Sequence, residues 1–133
     1  MAKKEEWLQL LGWNKDNLED LRFVGYDYIK QGHYSIALNF FGALAKLPTT
    51  PEVYDIQTLG ALYLELGNHR DALHFLEKAL GLDPMDETTL LNRAKTLFML
   101  GYTQQGLTQV GRLTHSDDAT IRGQALALSQ SYA

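Results

Sequence analysis

The decapeptide Gly67-Asn68-His69-Arg70-Asp71-Ala72-Leu73-His74-Phe75-Leu76 occurs in outline three times in this chain. Gly32-His33-Tyr34-Ser35-Ile36-Ala37-Leu38-Asn39-Phe40-Phe41 precedes it, and Gly101-Tyr102-Thr103-Gln104-Gln105-Gly106-Leu107-Thr108-Gln109-Val110 follows it. The glycines stand 67 − 32 = 35 and 101 − 67 = 34 residues apart. Each follows one helical apolar pattern and opens another, where a chain reversing between antiparallel helices needs a residue that tolerates φ > 0. A recurrence near 34 residues therefore predicts three stacked helix hairpins.

Upstream of each glycine runs an apolar stripe at helical spacing: Leu21, Val24, Gly25 and Tyr28; Ile56, Leu59, Gly60 and Tyr63; Leu90, Ala94 and Leu97. The small member of each stripe (Gly25, Gly60, Ala94) lets the facing helix approach closely. Pro84, after Ala79, Leu80, Leu82 and Asp83, ends the second hairpin. Outside the repeats, Trp7 to Leu11 reads as a short amphipathic helix capped by Gly12 that covers the open side of the first hairpin. Asp117 and Asp118 open a last helix whose Ile121, Ala125 and Leu128 share one face and close the stack.

The bulk numbers fit one globular domain. The chain has 133 residues, 45% hydrophobic and 21% charged, enough to bury a continuous core without disulfides or metals. Twelve Lys and Arg against sixteen Asp and Glu give a formal charge of −4, and the basic residues are scattered, so the footprint of nucleic-acid binding is missing. The N-terminal residues do not read as a signal peptide, and no apolar run approaches a membrane span. Zero cysteines leave no disulfide framework and no thiolate site, which fits a reducing compartment and makes the cytosol the expectation.

Chemistry finds no foothold. His69 and His74 lie five apart, on different faces of one helix, and His33 and His115 sit near turns, so no metal site is expected. Ser35, His33 and Asp27 are neighbours in a turn without the strained geometry of a nucleophile. The eleven glycines form no phosphate loop. The pairs Glu5-Glu6, Glu19-Asp20 and Asp117-Asp118 read as residues that open helices and complement their dipoles. The expectation is a protein that is not an enzyme and needs no cofactor.

Residues 53–86 resemble a tetratricopeptide repeat, with Leu59-Gly60, Tyr63, Gly67, Ala72, Leu76, Ala79 and Pro84 where that family places its signature residues. Residues 18–51 match through Gly25, Tyr28, Gly32, Tyr34, Ala37 and Phe41. Residues 87–116 depart from the pattern: Arg93 takes a leucine place, Gly106 replaces the packing alanine, and no proline closes the repeat. The resemblance implies an all-α tetratricopeptide solenoid, one domain over 1–133, with three hairpins, a short N-terminal helix and a capping helix at 117–131.

In that architecture the first helix of each hairpin lines a concave groove. The residues left for it are Glu19, Arg22, Tyr26 and Ile29; Tyr54, Gln57, Ala61 and Leu64; and Leu91, Lys95 and Phe98. Tyr26, Ile29, Tyr54, Leu64, Leu91 and Phe98 are the expected apolar anchors, and Arg22, Gln57, Asn92 and Lys95 the expected orienting groups. Such an apolar surface marks a binding site; the competing reading packs Ile29, Leu64 and Phe98 against the terminal helices. The clamp with which some tetratricopeptide domains hold acidic C-termini is not expected. Of its five positions only Arg22 and Asn92 match, and Tyr26, Thr58 and Thr88 occupy the others.

Three repeats between a leading and a closing helix in a small acidic chain also resemble the type III secretion chaperones of the bacterial cytoplasm. The tail from Leu107 to Arg122, a leucine-rich helix running through a Ser-Asp turn into a cap, is similar to their needle-subunit branch. That resemblance implies a secreted client whose amphipathic helix is laid in the groove and kept from polymerising, with a small co-chaperone as second partner. Homodimerisation of the client-free chain through its apolar face stays open. So do a translocator chaperone taking an extended peptide and a generic scaffold.

Overall fold

In a computed structural model of the chain, residues 15–133 are described, and they form seven helices. These are α1 (Lys15–Lys30), α2 (Tyr34–Lys46), α3 (Val53–Glu65), α4 (His69–Leu82), α5 (Glu87–Met99), α6 (Thr103–Leu113) and α7 (Ala119–Tyr132). Each packs against the next in sequence, and α3 with α5 and α5 with α7 also touch. First helices therefore stand side by side, as a solenoid requires. The expected helix at Trp7 to Leu11 lies outside the described residues. No described helix is long and apolar enough to cross a membrane.

The three reversals are one device used three times. Gly32, Gly67 and Gly101 have φ of +80°, +83° and +87°. In each, the glycine N–H donates three residues back and the next N–H donates five back: Gly67 to Leu64 O at 3.1 Å and Asn68 to Tyr63 O at 2.9 Å, with the same pairs at Gly32-His33 and Gly101-Tyr102. This pairing satisfies carbonyls that the ending helix leaves open. Alanine at Gly67 would be forced into left-handed backbone, at a cost of about 1–2 kcal/mol. Gly42, inside α2, has open space around a would-be Cβ, so Gly42→Ala should instead stabilise by about 0.5–1 kcal/mol. Urea melts of the two variants should shift in opposite directions.

Phe41, Leu44, Ala37, Leu59 and Leu62 form an N-terminal core against Leu21, Tyr28 and Ile29 of α1. Leu91, Ala94, Phe98, Val110, Leu113, Ile121 and Ala125 form a C-terminal one. Val24, expected in the first stripe, is exposed instead. Gly60 lets α4 come close: a methyl there would lie 2.8 Å from Leu76 Cδ2.

One of the third repeat's departures from the pattern, Gly106, has a packing cause. A methyl on Gly106 would lie 2.6 Å from Phe98 Cε1, so the Phe98 ring fills the space that the repeat's alanine would use. That ring then stacks on Tyr132 of α7, centroids 4.0 Å apart and planes 3° from parallel. The last helix is tied at its other end too. Asp118 caps it through Thr120 and Ile121 N–H at 2.8 and 3.1 Å. Ser116 Oγ donates to Glu87 at 2.8 Å, and Arg122 donates to Ser116 O at 2.7 Å. Glu19-Asp20, expected to open a helix, lies within α1, whose first turn carries Asp16.

Candidate functional site

Glu19, Arg22, Phe23 and Tyr26 recur at i, i+3, i+4 and i+7 along α1, which places them on one face. Tyr54, in the first turn of α3, stands across from them, and the five side chains enclose an open trough of about 530 Å³. Phe23 is 67% exposed, Tyr26 44% and Tyr54 43%. Three aromatic rings gathered in one hollow are an unsatisfied apolar surface of the kind that marks a contact site.

Two of those rings are held in place. Tyr54 meets buried Phe41 edge to face, centroids 6.2 Å apart. Lys30 Nζ lies 5.2 Å from the centre of the Tyr26 ring and 3.5 Å from Asp27. Between the two walls runs an ion pair. Arg22 Nε and Nη2 donate to the two carboxylate oxygens of Asp55, each at 2.7 Å, and Glu52 approaches Nη2 at 3.5 Å. Asp55 is 1% exposed. Its hydrogen bond holds the Arg22 guanidinium above the usual arginine pKa, burial opposing and the Asp55, Glu52 and Glu19 charges adding to it. A smaller hollow of about 210 Å³, lined partly by Leu18, Leu44 and Pro48, lies against the same pair.

Arg22 thus gives Nε and Nη2 to Asp55. It was expected to orient a client; in the structure it lines the trough and ties α1 to α3. Two expected anchors are displaced outright. Leu91, 3% exposed, and Phe98, 6% exposed, belong to the C-terminal core, Phe98 beneath Tyr132. Both sit on α5, and the closing helix α7 covers what an open solenoid end would have shown. Ile29 is half-buried against the N-terminal core. For Phe98 the competing reading, packing against a terminal helix, describes its position.

Arg22, Tyr26 and Tyr54 are therefore brought together, joined by Glu19 and Phe23. Gln57, Ala61 and Leu64 continue from Tyr54 along α3 and are half-buried, as is Asn92 on α5. Lys95 donates to Gln124 of α7 at 3.1 Å. Phe23 was absent from the expected set although it lies three residues before Tyr26 on the same helix, a spacing that could have revealed it. Among the described residues no cluster of three or more His, Asp or Glu could hold a metal ion.

No protein-family model matches the chain. No curated protein matches its sequence. Solved structures do. The TPR domain of P58(IPK) superposes with a TM-score of 0.72 at 16% identity, over 96% of this chain and 40% of that one. The fold is a tetratricopeptide-repeat solenoid. Within that fold, the type III secretion translocator chaperone SycD of Yersinia enterocolitica matches over 93% of this chain and 96% of its own, with a TM-score of 0.76 and 18% identity. PcrH, solved also as the Pseudomonas aeruginosa protein, matches in its complex with the chaperone-binding region of PopD. There the TM-score is 0.78 at 21% identity, over 91% and 94% of the two chains.

Proposed function

We propose that this chain is a cytoplasmic chaperone of bacterial type III secretion that holds an extended segment of a secreted translocator in its concave groove. The observation that carries this reading is the lopsided distribution of apolar surface. Phe23, Tyr26 and Tyr54 offer aromatic rings at the first two repeats, whereas Leu91 and Phe98, which would continue the line, are buried. An amphipathic helix needs anchors along its whole length, at i, i+3 or i+4, and i+7. An extended segment needs one or two side-chain pockets and polar partners for its backbone. The reading assigns that role to Gln57 on α3 and to Asn92 and Lys95 on α5.

SycD is a translocator chaperone and PcrH was solved holding a region of PopD; both support the translocator branch over the needle branch. Occupying the trough would cover the client's aggregation-prone segment until export. The reading assigns no catalytic step and no cofactor.

Co-expression tests it. Paired with a translocator from the same secretion system, the chain should keep that protein in the soluble fraction and co-purify with it. Paired with the needle subunit, it should not. Solubilisation of the needle subunit alone would overturn the proposal.

A further inference from the structure

Arg93 stands where the repeat pattern places a leucine, and the groove makes no use of it. It leaves α5 on a different side from Lys95: Lys95 reaches Gln124 of α7, whereas Arg93 reaches Glu77 of α4 and Gln109 of α6. Arg93 Nη1 donates to Gln109 Oε1 at 3.1 Å, and Gln109 is 8% exposed, so a nearly buried group positions the guanidinium. The Glu77 carboxylate, by contrast, stays 3.4 Å from Nε and Nη2. Charge-assisted bonds close to about 2.7–2.9 Å, as Arg22 and Asp55 do at 2.7 Å. Arg22 holds its carboxylate tightly; Arg93 holds Glu77 only loosely, a contact that a better-placed carboxylate can displace.

Arg93, Arg112, Gln105, Thr108 and Gln109 enclose an open pocket of about 250 Å³. Its two charged residues are both arginines and no carboxylate lines it, although the chain as a whole carries −4. Gln109 gives its amide oxygen to Arg93, which leaves the NH2 donor as its contribution to the pocket. The hollow is smaller than the roughly 300–1,000 Å³ of small-molecule sites. It suits one side chain.

We propose that this pocket binds an aspartate or glutamate side chain of a protein partner. Arg93 and Arg112 grip the carboxylate, with the Gln105 and Gln109 amides beside them. The pocket shares no residue with the aromatic trough, so the proposal stands apart from the reading of the groove, and each can fail alone.

The test follows arginine Nε–H signals by NMR while a capped tri-glutamate peptide is added at fixed ionic strength. The Arg93 and Arg112 signals should shift and saturate while Arg22 stays still. Arg112→Gln, at an exposed position, should weaken binding about tenfold, the effect of losing a charge-assisted hydrogen bond. Glu77→Gln should strengthen it by removing a competing carboxylate. Shifts that never saturate, or that survive Arg112→Gln unchanged, would overturn the proposal. Tighter binding of inorganic phosphate than of the peptide would do the same, since a free anion would then be the better ligand.

Discussion

Replacing Phe23 and Tyr26 together by serine should abolish client binding and leave the fold in place. Exposed aromatic residues at the centre of a contact contribute about 2–4 kcal/mol each when truncated, so losing both should weaken the complex roughly a thousandfold or more. The free protein loses little, because Phe23 is 67% and Tyr26 44% exposed, and surface changes of that kind stay within about 0.5 kcal/mol each. The cation–π contact of Tyr26 with Lys30 is similarly small. Fluorescence anisotropy of a labelled client segment measures the first effect and a thermal melt the second. A loss of only two- or threefold would remove the trough from the account.

Asp55→Ala should have the opposite profile, with a large loss of stability. Asp55 is 1% exposed and takes two donors of Arg22 at 2.7 Å, so its removal strands a part-buried guanidinium. Breaking a buried pair on one side costs about 3–5 kcal/mol; the Arg22 side chain is 20% exposed, which puts the expected loss near the lower end, about 3 kcal/mol. For a domain of this size that lowers Tm by roughly 10–15 °C. The double change Arg22→Met with Asp55→Leu should recover most of it, because apolar replacement of both partners is often neutral. Denaturant melts of the single and double variants check the pair. If Asp55→Ala melts like the parent, the two helices are not held by this contact.

The fold was legible because the repeat announces itself. Glycines near a 34-residue period mark turns that only a left-handed residue closes, and Gly60 and Ala94 sit where helices must approach. The site was legible only in part. Tyr26 and Tyr54 follow from which helix faces the groove, but the same wheel also placed Leu91 and Phe98 there. It could not show that α7, stacking Tyr132 on Phe98, would cover that end. Nor does a helical wheel show that Arg22 meets a carboxylate 33 residues away. That contact depends on how two repeats stack, not on the pattern within either. The packing role of Gly106 arises within one hairpin: its departure from the repeat answers Phe98, on the other helix of the same pair.

The occupant's conformation in the groove is the most direct test, and a crystal structure of the chain bound to its client segment would record it. The account predicts an extended client backbone, a side chain seated among Phe23, Tyr26 and Tyr54, and onward contacts past Gln57 toward Asn92. A client bound as a helix, or seated elsewhere with the aromatic trough open to water, would contradict it.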